Sequence, residues 1–145
     1  MPMLENVPIF AGLDGPALRL LLEHTKEQNY LEGGLIVQEG ETSNSMFVIG
    51  TGKVRVCKNF NAPNEIELAT LGPKDFFGEM CIVDTQPRCA TIQAREPATV
   101  FSISAMAFYR LYKSMPSQHS ILVLNIARDL SRRLRNLDAR FAAQH

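Results

Sequence analysis

Glu79 and Arg88 are the residues whose types and spacing point most directly to chemistry. They stand nine positions apart in Phe76-Phe77-Gly78-Glu79-Met80-Cys81-Ile82-Val83-Asp84-Thr85-Gln86-Pro87-Arg88-Cys89, a segment that runs on into Ala90-Thr91. A carboxylate such as that of Glu79 accepts the proton of a hydroxyl. A guanidinium such as that of Arg88 presents a planar fork that matches two phosphate oxygens, and charge-assisted bonds of this kind are stronger than neutral ones. The pair suits a ligand that carries an anionic phosphodiester and a hydroxyl a few ångströms apart. Gly78 lacks a Cβ, so the backbone can turn tightly and lie close to such a ligand. Met80 to Val83 is long enough for one helical turn, whose free N–H groups would add to anion binding. Pro87 stiffens the approach to Arg88. The plain alternative is a solvated Glu–Arg pair in an ordinary strand–turn–strand loop. Phe-Gly-Glu, the nine-residue spacing and Arg-Cys-Ala-Thr occur together in this segment, and what that conjunction resembles decides between the two readings.

This segment resembles the phosphate-binding cassette of cyclic-nucleotide-binding domains, whose pattern is Phe-Gly-Glu, a short apolar run, then Pro-Arg-small-Ala-Thr. The resemblance implies ligand contacts from Phe77, Gly78, Glu79, Met80, Cys81, Arg88, Cys89 and Ala90. Glu79 would take the ribose 2′-OH and Arg88 the cyclic phosphate of cAMP or cGMP. The implied small molecule is a ligand, and no cofactor is expected.

The elements that must position these residues are short strands. Leu35 to Gly40 reads as a strand ending in a turn, Met46 to Gly50 as an apolar strand, and Lys53 to Lys58 as an alternating one. Phe60 to Asn64 is a hairpin tip, Glu65 to Leu71 alternates again, Ala90 to Ala94 anchors the cassette, and Val100 to Ile103 closes the set. Many short strands at regular intervals predict a sandwich or barrel. Gly50-x-Gly52 before Lys53 lacks the remaining glycine of a nucleotide loop and reads as a hairpin turn. Ahead of the strands, Asp14 is an N-cap with Pro16 in the first turn of a helix that carries Leu18, Leu21 and Leu22 on one face. The expected fold class is mainly β with flanking helices, and the family resemblance implies a β jelly roll over about residues 30–103 with an N-terminal helical segment and a long C-terminal helix, as one domain over 1–145.

Composition bounds the function. The chain has 145 residues, 46% hydrophobic and 21% charged, with a formal net charge of zero. It is globular, and nothing global draws it to nucleic acid or an anionic membrane. No apolar run approaches the roughly 20 residues needed to span a bilayer. The N-terminus has no basic stretch followed by an apolar core, so no signal peptide is read there. Three cysteines, Cys57, Cys81 and Cys89, form no C-x-x-C pair and fit reduced thiols in the cytoplasm. His24, His119 and His145 have no metal-ligand spacing, and no nucleophile motif is present. The sequence therefore reads as a non-enzyme with no metal site. A thiolate at Cys89, favoured by Arg88, is a secondary redox hypothesis.

Ala105 to Met115 reads as a short helix that stops before Pro116, followed by a helix of about 25 residues over about 117–142. Within it Val123, Ala127, Leu130, Leu134, Leu137 and Phe141 are spaced as a heptad seam. Arg128, Asp129, Arg132, Arg133, Arg135, Asp138 and Arg140 fall elsewhere and read as a solvated face. The seam either packs on its own barrel or pairs two copies as a homodimer, which is the expected use. Ile121 to Ile126 is apolar nearly all round and is expected to touch its own barrel as well.

The resemblance covers nearly the whole chain and is nearest to the sensor domain of catabolite-activator-type bacterial regulators. It departs in two places. Those regulators carry a helix-turn-helix domain after the long helix, whereas this sequence ends at His145. Direct DNA binding is not expected, and a separate effector protein is a candidate partner. Alignment on Arg132-Arg133-Leu134 puts Leu137 and Asp138 where the catabolite activator has a Thr-Ser pair on the base, so Asn136, Leu137 and Asp138 are the candidate base contacts. The reading is a cyclic-mononucleotide sensor that reorders its C-terminal helix. The alternative is a ligand-free dimerisation or scaffold module of the same fold.

Overall fold

The computed structural model describes residues 6–42, 44–79 and 87–144. Among them are eight strands in two four-stranded antiparallel sheets. The strands are β1 (Thr25–Tyr30), β2 (Leu35–Val37), β3 (Ser45–Thr51), β4 (Val54–Lys58), β5 (Ile66–Leu71), β6 (Phe76–Phe77), β7 (Thr91–Ala94) and β8 (Ala98–Ser104). One sheet has the order β1-β8-β3-β6 and the other β2-β7-β4-β5. Helices α1 (Gly15–Glu23), α2 (Ala105–Ser114) and α3 (Pro116–Gln144) flank them, with a 3-10 turn at Pro8–Phe10. This is the mainly-β jelly roll with flanking helices that the sequence predicts. Strands begin at Thr25, earlier than the expected start near residue 30, and α3 runs from Pro116 to Gln144.

Local chemistry sets the helix boundaries. The Asp14 carboxylate accepts from the Ala17 N–H at 2.9 Å, satisfying a donor the first turn leaves open. Pro116 has no N–H to give, so α2 ends at Ser114 and α3 starts afresh with proline in its first turn.

The strand period of two sends alternate side chains into two cores. Phe47, Ile49, Val54, Phe77, Ile92, Ala94, Ala98 and Val100 fill one core, with members from both sheets. Met46, Val48, Phe76, Phe101 and Ile103 face the other way, onto Leu21 of α1, Phe108 and Leu111 of α2, and Leu122 and Ile126 of α3. The two-residue β6 therefore belongs to both cores. Its pairing with β3, Val48 opposite Phe76 and Phe47 opposite Phe77, holds it in register. Asn125 adds a polar tie, donating from Nδ2 to the carbonyls of Ile9 and Ala11 at 2.9 and 2.8 Å.

Candidate functional site

The candidate cassette starts where β6 ends. Phe76 and Phe77 are buried, and the chain turns at Gly78 with φ +79°. A Cβ at Gly78 would lie 2.7 Å from Arg88 Nη1 and 3.1 Å from the Ser45 carbonyl oxygen. Glycine is required here twice, for the backbone angle and for the space that the guanidinium occupies. Glu79 follows directly and is half-buried.

Arg88 is tied to this turn from the far end of the cassette. Its Nη1 donates to the Gly78 carbonyl at 3.1 Å and its Nη2 to the Ser45 carbonyl at 2.6 Å. Its backbone is pinned on both sides. The Arg88 N–H donates to the Glu41 carbonyl, and the Gly40 N–H donates to the Arg88 carbonyl, each at 2.8 Å. The guanidinium carbon stands 5.8 Å from the centroid of the Phe47 ring. Phe47 in turn stacks on Phe77, with centroids 5.0 Å apart and planes 13° from parallel. The guanidinium is thus held in one orientation at the same turn that carries Glu79.

Among the sequence-predicted site residues, Phe77, Gly78, Glu79 and Arg88 come together at this turn. Cys89 is exposed beside Arg88, and Ala90 is buried at the foot of β7. Met80 and Cys81, with the helical turn expected over 80–83, lie outside the described residues. Asn136, Leu137 and Asp138 are exposed on α3. The other described thiol, Cys57, is buried, donates toward the Thr91 carbonyl at 3.6 Å, and is pushed up in pKa by that burial.

Three residues that position the site escape sequence reading. Ser45 contributes a backbone carbonyl, which has no side-chain signature. Phe47 looks like any apolar strand residue; only its alternation with Met46 and Val48 hints that it faces the other core. Arg133 looks like one charge among many on α3. It is half-buried, donates from Nη2 to the Phe76 carbonyl at 2.9 Å, and sits 4.3 Å from the Phe76 ring centroid. Asp129 holds its Nε at 2.8 Å. The solvated face expected of these charges is therefore interrupted at Asp129 and Arg133, because α3 lies on the core and its long polar side chains reach the strand below.

The sequence pattern of the family described as "Cyclic nucleotide-binding domain" matches residues 27–115. The chain belongs to the cyclic nucleotide-binding domain family. The matched stretch contains every cassette residue, while Arg133 and Asn136 to Asp138 lie beyond it. The chain is 29% identical over 135 residues to the Cyclic AMP receptor protein of Thermus thermophilus, covering 93% of this chain and 61% of that protein. It is 32% identical over 114 residues to a cyclic nucleotide-gated potassium channel of Mesorhizobium japonicum, covering 79% of this chain and 30% of the channel. The crystal structure of the Thermus thermophilus catabolite activator protein superposes with a TM-score of 0.76 at 29% identity, over 93% of this chain and 62% of that one. A cyclic nucleotide-binding domain from Methylobacillus flagellatus superposes at 0.85 with 22% identity, over 99% of this chain and 81% of that one, which speaks for the fold alone. The chain spans about three-fifths of the length of the Thermus relative. Among the described residues, no helix is long and apolar enough to cross a membrane, and no cluster of three His, Cys, Asp or Glu is placed to hold a metal ion.

Proposed function

We propose that this domain is a non-catalytic sensor that binds a cyclic mononucleotide, cAMP or cGMP, through the segment Phe77 to Ala90. The observation that carries the reading is the Arg88 guanidinium anchored on the Gly78 carbonyl, one residue from Glu79. That anchoring brings a phosphate-binding cation and a hydroxyl-binding carboxylate to one turn, and fixes the cation before a ligand arrives. A preorganised donor loses less freedom on binding. Phe77, Gly78, Met80, Cys81, Cys89 and Ala90 complete the ligand contacts in this reading, and Asn136, Leu137 and Asp138 are the base contacts offered by the long helix.

Binding becomes output through α3. A nucleotide shifts the helix only if it contacts two helix arrangements differently. The Arg133 contact with Phe76 supports this route, since it joins α3 to the strand that leads into Gly78 and Glu79. Two copies pair along the seam, and a separate effector protein reads the helix.

The test is thermal melting with and without cAMP and cGMP. A ligand that binds only the folded state raises the melting temperature by mass action. The expected result is a concentration-dependent rise with at least one nucleotide. No rise with either at millimolar concentration rejects the sensor. It would leave the ligand-free dimerisation module, which the exposed seam residues Val123, Leu134 and Leu137 favour.

A further inference from the structure

We propose that Phe47 is a positioning residue for Arg88, and so a determinant of phosphate recognition that lies in the core rather than in the cassette. The inference deepens the proposed cyclic-nucleotide reading and rests on it for its functional consequence. Its structural half stands alone.

An arginine side chain has four rotatable bonds and much freedom to lose, so a guanidinium fixed in one orientation needs several restraints. Two are backbone carbonyls, of Gly78 and Ser45, and they lie on different strands or turns. They fix the directions of two N–H groups. The Phe47 ring, 5.8 Å from the guanidinium carbon, supplies an electron-rich surface within cation–π range. That ring cannot itself move aside. It is buried, stacked on Phe77, and carried by β3 between neighbours that face the opposite core. Ser45 is two residues along the same strand. One segment, Ser45 to Phe47, thus offers both a carbonyl and a ring to the cation. Gly78 leaves the opening, since a Cβ there would collide with Nη1.

Phe47→Leu keeps an apolar side chain of similar volume and removes the ring. Phe47→Tyr keeps the ring. The direct readout is the side-chain Nε–H signal of Arg88 in ligand-free protein by nitrogen-15 NMR, assigned by its loss in Arg88→Lys. In the wild type and Phe47→Tyr we expect a ring-shifted, rigid signal. In Phe47→Leu it should move toward the range of free arginines and gain fast motion. An unchanged Arg88 signal in folded Phe47→Leu overturns the proposal. Should that variant fail to fold, Phe47→Met, which also keeps a large apolar side chain and removes the ring, takes its place, and an unchanged signal there overturns the proposal equally.

The second readout is cAMP and cGMP affinity by calorimetry. Phe47→Leu should weaken binding roughly three- to tenfold, Phe47→Tyr should restore it, and Phe47→Leu should cost nothing further in an Arg88→Leu background. A merely structural role for Phe47 would give the same loss in both backgrounds. If Arg88 moves in Phe47→Leu yet the wild type binds neither nucleotide, the positioning stands and the cyclic-nucleotide reading falls. If nucleotide binds and Arg88 does not move, the reverse holds.

Discussion

The guanidinium of Arg133 on the long C-terminal helix donates to the carbonyl of Phe76, 57 positions earlier, and lies 4.3 Å from the centroid of that residue's ring. A backbone carbonyl and an aromatic face of one residue are thus read by one cation. Phe76 opens the two-residue strand that ends at the Gly78 turn, and its neighbour Phe77 stacks on Phe47 beneath Arg88. The strand is therefore gripped by the helix on one side and by the cassette arginine's platform on the other.

Arg133→Leu removes the donor and the charge while keeping an apolar stem. We expect amide hydrogen exchange over 133–141 to rise in the ligand-free protein. In the wild type, nucleotide should protect that stretch in addition to Gly78, Glu79 and Arg88. In Arg133→Leu the cassette protection should persist and the helix protection should shrink. Wild-type protection confined to the cassette would mean that nucleotide is held without being signalled through this helix. Equal helix protection in the variant would move the link elsewhere.

Much of the fold is legible in the sequence because its signals are local. Asp14 before Gly-Pro announces a helix start, and its carboxylate does cap Ala17. The alternation from Lys53 to Lys58 and from Glu65 to Leu71, with a turn-rich tip between, announces a hairpin, and the strands Val54–Lys58 and Ile66–Leu71 pair. Other features were not legible. Phe76 and Phe77 are too few to show a period, yet each faces a different core. Arg133 differs from Arg132 only in angle around the helix, which matters once α3 has a side against the sheet. The Ser45 carbonyl has no sequence signal, because every residue has one. Local rules expose what a segment prefers. Contacts between segments far apart in the chain need the packed molecule.

Arg88→Leu tests the cation. The side chain touches the Gly78 and Ser45 carbonyls rather than the core's centre, so the fold should survive. Losing a partly desolvated charge partner of an anion costs about 2–5 kcal/mol, which is roughly 30-fold or more in affinity. Calorimetry with cAMP and cGMP checks this. Equal affinities in wild type and variant would remove Arg88 from the phosphate.

Glu79→Gln tests the hydroxyl. An amide keeps one acceptor oxygen but loses the charge that strengthens the bond. The preference for ribose over 2′-deoxyribose ligands should narrow, measured as the ratio of the two affinities in each protein. An unchanged ratio would assign the ribose to another residue.

His119 gives a pH prediction. Burial lowers its pKa from an ordinary value near 6.5, and its ring meets Tyr112 edge-on with centroids 5.3 Å apart. The folded state then binds the proton less readily than the unfolded chain. Its contribution to stability is complete above pH 6.5 and is lost as the pH falls through the lowered folded value. Melting temperature should therefore decline on acidification below about pH 6.5. His119→Gln should flatten that part of the profile, and a variant whose profile parallels the wild type would exonerate this histidine. Glu39 and Glu65, whose pKa values are lowered by hydrogen bonds from the Asn59 and Asn61 N–H groups, begin to lose their contribution only when the pH reaches the ordinary carboxylate range, well below the 6.5 at which the His119 response begins.

Leu134→Glu tests the pairing of two copies. The seam separates from the core face around α3. Leu122 and Ile126 are buried in the domain, while Val123, Leu134 and Leu137 are 38%, 60% and 55% exposed. Leu130 lies between the two sets and packs partly on the core, so the seam and the domain are one continuous apolar surface at that point. Exposed leucines one helical turn apart have no internal partner to satisfy, and heptad spacing lets a second copy supply one. In a monomer, exchanging an exposed leucine for glutamate is a surface change worth within about 0.5 kcal/mol. In a paired seam it sets charge against charge across the interface. We expect the wild type to sediment as a dimer and Leu134→Glu as a monomer. The wild-type melting temperature should also rise with protein concentration, since association favours the folded state by mass action, and the variant's should not. A wild type that sediments as a monomer, or a variant that stays dimeric, would reject this seam as the pairing surface.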